Sequence, residues 1–167
     1  MKKFTILIIT LVSLTLNAFA AGDGSWNIGV QGGIMYRSAT NALVSLEWER
    51  RYQHIWEAFV DMQARVETSN GRIHSDTFFD RSTILVGAAY KHAFLRWKNS
   101  VLRARLGAGV GIESDYTFTT GLSIGLEFSL TFRNRMQFVA SQKNDFHFWA
   151  RDNFRNGVLV GVKFPIN

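Results

Sequence analysis

Residues Val101–Phe132 read VLRARLGAGVGIESDYTFTTGLSIGLEFSLTF, and the alternation within them decides the fold. Leu102, Ala104, Leu106, Ala108, Val110 and Ile112 fall on one side of an extended chain, and Arg103, Arg105, Gly107, Gly109, Gly111 and Glu113 on the other. Beyond the polar link Ser114–Thr120, Leu122, Ile124, Leu126, Phe128 and Leu130 oppose Gly121, Ser123, Gly125, Glu127 and Ser129. Side chains alternate across a strand in this way, whereas a helix would scatter both sets. Each run reaches about ten residues or more, against about five or six in a usual globular strand. That is the length a tilted strand needs to cross a bilayer. The pattern predicts a hairpin of a membrane barrel.

The same period recurs along the chain. It predicts further strands over Trp26–Tyr36, Ala42–Arg50, Ile55–Thr68, Thr83–His92, Met136–Gln142 and Phe154–Phe164. Ala, Met, Gln and Glu in Ile55–Thr68 favour helix. Alternation of Trp56, Ala58, Val60, Met62, Ala64 and Val66 with Glu57, Phe59, Asp61, Gln63, Arg65 and Glu67 outweighs them. The total is even, as in single-chain bacterial outer-membrane barrels. The expected fold is all-β: an eight-stranded antiparallel up-and-down transmembrane barrel over residues 21–167, after a cleaved signal peptide at 1–20. Lys2 and Lys3, the apolar run Phe4–Leu16 and Ala18-Phe19-Ala20 have the layout of such a peptide, exported through the Sec pathway and cut after Ala20. Cysteine is absent, so an exported domain has no disulfides and must be held by its sheet.

Composition narrows the class. A hydrophobic content of 47% is low for a helical membrane protein but suits a barrel, where alternate residues meet lipid. The formal charge of +6 is spread over strand faces and turns, with no basic stripe and no zinc-ligand spacing. Direct nucleic-acid binding is therefore not expected. With both chain ends in the periplasm, the outer links are Arg37–Asn41, Ser69–Arg81, Ser114–Thr120 and Lys143–Asn153, and the inner ones Arg50–His54, Phe94–Ser100 and Phe132–Arg135. Two of the outer links are the longest, as outer-membrane barrels have it. The inner turns carry most of the basic side chains outside the strands, facing anionic headgroups of the outer-membrane lipid. Trp26, Tyr36, Trp48, Trp56 and Tyr90 lie near strand ends, where interfacial girdles form.

Alternation alone leaves open a soluble lipocalin-type barrel with its apolar face inward. The polar face decides against it. It carries glycines 29, 33, 87, 107, 109, 111, 121, 125 and 161, which suit an interior that only just accommodates side chains. It also carries Glu47, Glu49, Glu57, Asp61, Glu113 and Glu127 with Arg65, Lys91, Arg103, Arg105 and Lys163. Six acids against five bases approach the balance that a buried charge network needs. Lipid is expected outside and this network within.

A barrel so narrow and filled is not an open porin. Small outer-membrane barrels also include lipid-modifying enzymes, which need a nucleophile placed against a base. His74-Ser75-Asp76 is the nearest such cluster, but adjacent residues on a link do not make triad geometry. His147, among Phe146, Phe148 and Trp149, reads as a loop resting on headgroups, and His54 and His92 lack ligand spacing to a partner. No catalytic residue, cofactor or metal is expected.

Three glycine-patterned segments carry a family likeness. Leu106-Gly-Ala-Gly-Val-Gly-Ile-Glu113, Gly121-x3-Gly125-x-Glu127-Phe128 and the terminal Gly157-x3-Gly161-x-Lys163-Phe164-Pro-Ile-Asn167 resemble the conjugal transfer TraO family of Bacteroidetes. The likeness covers about the C-terminal half, and the chain departs from the pattern in being short, with a compact front half. It implies a cell-envelope component of a conjugative DNA-transfer apparatus, with protein partners there and no catalytic residues. The alternative is a general small barrel for adhesion or envelope integrity.

Overall fold

The computed structural model describes residues 24–36, 39–50, 53–65, 68–69, 72–73, 82–114, 117–150 and 153–166. The expected signal peptide and the His74-Ser75-Asp76 cluster lie outside the described residues. In chain order the strands are β1 (Ser25–Met35), β2 (Ala39–Glu49), β3 (Ile55–Arg65), the short β4 (Thr68–Ser69) and β5 (Arg72–Ile73), β6 (Ser82–Arg96), β7 (Ser100–Glu113), β8 (Phe118–Thr131), β9 (Gln137–Phe148) and β10 (Phe154–Pro165). β4 and β5 pair with each other; the remaining eight form a closed antiparallel barrel in which β1 pairs with β10.

The register fixes the shape. Cross-strand partners lead from Trp26 to Trp48, Trp56, Tyr90, Leu106, Ile124, Asn144 and Asn156. The Tyr36 N–H donates to the Asn156 carbonyl, so the circuit returns to the first segment ten residues beyond its start. Ten residues at about 3.3 Å against eight strand spacings of about 4.8 Å tilt the strands by about 40°. Trp26 and Tyr36 then stand about 25 Å apart in height, which is the apolar band expected between two aromatic girdles.

Polarity is inverted relative to a soluble protein. Ile28, Val30, Val44, Val60, Val86, Leu106, Ile124, Leu126, Val158 and Val160 are exposed around the outside. Asn27, Gln31, Glu47, Glu57, Asp61, Lys91, Arg103, Glu127 and Lys163 are buried within. An oily centre with solvated charges, the lipocalin-type arrangement, is excluded. Within the interior, Leu43, Phe59, Ala89 and Leu159 form a small apolar cluster. Phe59 has room because Gly87 and Gly109, paired across β6 and β7, offer no Cβ to its ring.

Several boundaries differ from expectation: β2 begins at Ala39 rather than Ala42, and β3 ends at Arg65 rather than Thr68. β6 runs to Arg96 rather than ending at His92, since an irregularity between Ala93 and Leu95 turns Phe94 and Leu95 both outward and breaks the alternation. β8 begins at Phe118, which shortens the preceding link. β9 continues to Phe148, so the first six residues of the expected loop Lys143–Asn153 belong to the strand. Two hairpin turns at the other end are tight: Gln53 and Arg135 are each in the left-handed region, and each donates its N–H to the carbonyl three residues back, Arg50 and Phe132.

Gly87→Val is expected to prevent closure, because its Cβ would overlap the Ala108 carbonyl and stand 2.6 Å from Phe59 Cζ. Ala88→Val, one residue on and facing outward, is expected to fold. Unboiled SDS gels check this: the fast-migrating folded band should vanish for the first variant and persist for the second.

Candidate functional site

Every strand of the barrel aims alternate side chains at one axis, so charges far apart in sequence meet there. Lys91 of β6 lies at the centre. Its Nζ is 2.5 Å from Glu47 Oε1 of β2 and 2.5 Å from Glu127 Oε2 of β8, and also pairs with Glu57 of β3. Lys163 of β10 bridges Glu47 at 2.7 Å and Glu127 at 2.6 Å. Arg105 of β7 pairs with Glu57 at 2.6 Å, donates to Ser123 Oγ at 2.6 Å and lies 4.8 Å over the Phe59 ring. Arg103 donates to Ser129 Oγ, to Glu49 and to the Gln53 carbonyl, and stands 3.6 Å from Glu127. Four carboxylates thus meet four cations.

A second tier lies toward the opposite end from the tight turns. Lys143 of β9 holds Asp61 at 2.5 Å and Asp145 at 2.8 Å. Asn41 and Gln63 donate amide hydrogens to Asp61, and Gln63 also donates to Asp145. Arg155 caps the tier, donating to Gln63, Thr83 and Glu113 at 2.9–3.2 Å.

The charges of this arrangement neutralise one another within the barrel. Glu47, Glu57 and Glu127 present carboxylate oxygens within 4.8 Å of one another, spacing that would suit a cation. The Lys91 ammonium fills that position. General acid–base work needs a carboxyl free to exchange its proton with a substrate. Here the central carboxylates are buried and gripped by cations, and such charge-assisted bonds are the strong ones.

The expected network residues Glu47, Glu49, Glu57, Asp61, Lys91, Arg103, Arg105, Glu113, Glu127 and Lys163 all stand on the interior side. The side chain of Arg65 lies outside the described ones. Lys143, Asp145, Arg155 and Asn41 join the network although the sequence pattern does not single them out, and Gln63 joins it from the polar face that the alternation gave it. The alternation of Lys143, Asp145 and His147 is the signal that could have found three residues of β9 on the inner face. His147 is a correction: it is 2% exposed inside the barrel rather than on a headgroup-facing loop, because β9 carries it past the expected strand end. Gly121, its cross-strand neighbour, leaves the space for its ring. His54, in the turn before β3, stacks on His92 with centroids 4.6 Å apart, and its Nδ1 accepts the Ala93 N–H. Partial burial, then the nearby His92, Arg96 and Arg103, hold its pKa below the usual imidazole value.

Lys91→Met is expected to destabilise the barrel by roughly 3–5 kcal/mol, since it leaves three buried carboxylates short of a cation. Glu49→Gln, at the edge of the network, should cost no more than about 1 kcal/mol. Urea unfolding of the vesicle-inserted protein measures both.

No protein-family model and no curated protein matches the chain. Solved structures do. A major outer membrane protein from Thermus thermophilus superposes with a TM-score of 0.58 at 8% identity, over 87% of this chain and 100% of that one. Neisserial surface protein A gives 0.55 at 12% identity, over 84% and 95%. A de novo designed transmembrane β-barrel gives 0.51 at 10% identity, over 87% and 98%. At such identities the likeness is one of fold, and that fold is the outer-membrane β-barrel.

Proposed function

We propose that this chain is a non-enzymatic barrel resident in the outer membrane, reached through the Sec pathway, where it serves as a structural component of a conjugative DNA-transfer apparatus. The observation that carries the structural role is the lumen: a neutral lattice around Lys91, closed by Arg155 above and Arg103 below, leaves a plug rather than a path. The exposed apolar belt supports membrane residence. Arg50, Arg96, Lys98, Arg133 and Arg135 are exposed at the tight-turn end, a basic rim suited to anionic headgroups and to acidic surfaces of periplasmic partners. The transfer role is supported by the glycine-patterned segments in β7, β8 and β10 that resemble the TraO family.

The test is a donor strain lacking the gene. DNA transfer is expected to collapse and to return on complementation, with lipid A composition unchanged. Undiminished transfer, with the barrel folded in the outer membrane, would remove the transfer role and leave a general envelope barrel. A changed lipid A would reopen the enzymatic reading, and a protein found soluble in the periplasm would end the membrane reading itself.

A further inference from the structure

The lipid-facing wall is apolar almost everywhere, with one exception at β9 and β10. Gln142, Asn144 and Asn156 face outward side by side: Asn144 pairs across the strands with Asn156, and Gln142 with Val158. Each residue along a strand tilted by about 40° rises about 2.5 Å, and each strand round the barrel adds about 3 Å. Measured from Trp26, Gln142 then stands at about 14 Å, Asn144 at about 19 Å and Asn156 at about 22 Å, within the apolar band of about 25 Å. The outward Thr40, Ser82 and Thr120 lie by the same measure near or beyond the Tyr36 level, and His92 lies near the lower rim. Gln142 is therefore close to mid-depth, among the exposed Leu126, Val158 and Val160.

Hydrocarbon offers a carboxamide nothing to bond. Asn144 donates to the Ile124 carbonyl at 3.3 Å. Gln142 and Asn156 make no side-chain hydrogen bond among the described residues. Resting on the outer-membrane reading above, we propose that this wall is where two copies of the barrel pair side by side, each supplying the amides that satisfy the other. Three features select a second copy as the occupant. The partner must be membrane-embedded, because the amides lie at hydrocarbon depth. It must be uncharged there, because these side chains offer no countercharge, and an amide that both donates and accepts is its own complement. A two-fold axis along the membrane normal sets identical residues opposite one another at identical depth, Gln142 beside its own counterpart. The small Ala140 next to Gln142 lets the two walls approach.

The chain has no cysteine, so Gln142→Cys introduces a single thiol, and Val60→Cys on the diametrically placed β3 serves as control. In phospholipid vesicles at low protein density, oxidation is expected to give a disulfide-linked dimer from the first and little from the second. Labelled wild-type barrels should show energy transfer that the triple variant Gln142→Leu, Asn144→Leu, Asn156→Leu abolishes while remaining heat-modifiable on gels. A folded wild type without energy transfer, with the two thiols crosslinking equally, overturns the pairing and leaves the membrane reading intact. Crosslinking of Gln142→Cys in native membranes to a different membrane protein, and not to itself, overturns it in favour of a foreign partner. Loss of the heat-modifiable band in the wild type would instead count against the membrane reading.

Discussion

Lys91 binds three carboxylates from three other strands, and the rest of the barrel is arranged around that neutralisation. An interior this narrow holds side chains in place of bulk water, so a charge pointing inward must find its counterion there. Glu47, Glu57, Lys91, Glu127 and Lys163 come from five strands and meet only once the cylinder is closed at the right shear. A slip of one residue in any of those strands would turn its charges toward lipid and its valines and leucines inward. The network therefore specifies register at least as much as it stabilises the fold.

Glycine makes that density possible. Gly29 lies against Ser45, Glu47 and Lys163, where a side chain would intrude on the network, and Gly87 and Gly109 provide the floor under Phe59. Phe59 in turn receives the face of the Arg105 guanidinium, which ties the small apolar cluster to the charged tier. Polar and apolar layers thus interlock inside the barrel.

The two ends and the outer wall differ in character. Trp26 stacks on Trp48, Arg50 lies 4.4 Å over the Trp48 ring, and Trp56 packs on Tyr90, which gives the tight-turn end an aromatic and basic collar. The outer wall is smooth and aliphatic over most of its circuit. At β9 and β10 it carries amides, and there the strand is polar on both faces: Lys143, Asp145 and His147 within, Gln142 and Asn144 without. Such a segment has little apolar signature although it is fully paired with both neighbours.

Period-two alternation, together with glycines and balanced charges on one face, is enough to read an eight-stranded barrel, its strand order and the side that meets lipid from the amino acids alone. These follow from local stereochemistry and from the cost of unpaired charge in hydrocarbon. Strand limits are legible only where one face is apolar. The pattern stops at Gln142 in β9 because polar residues on both faces mimic a loop, and at His92 in β6 because an irregularity breaks the period. The shortfall in β9 puts His147 on a surface it does not occupy. Which acid meets which base, the seating of Lys91 in the place of a cation, and the second tier of Lys143, Asp145 and Arg155 emerge only in the folded cylinder. Those pairings depend on the shear of the closed barrel, a property of all eight strands together that no single segment encodes.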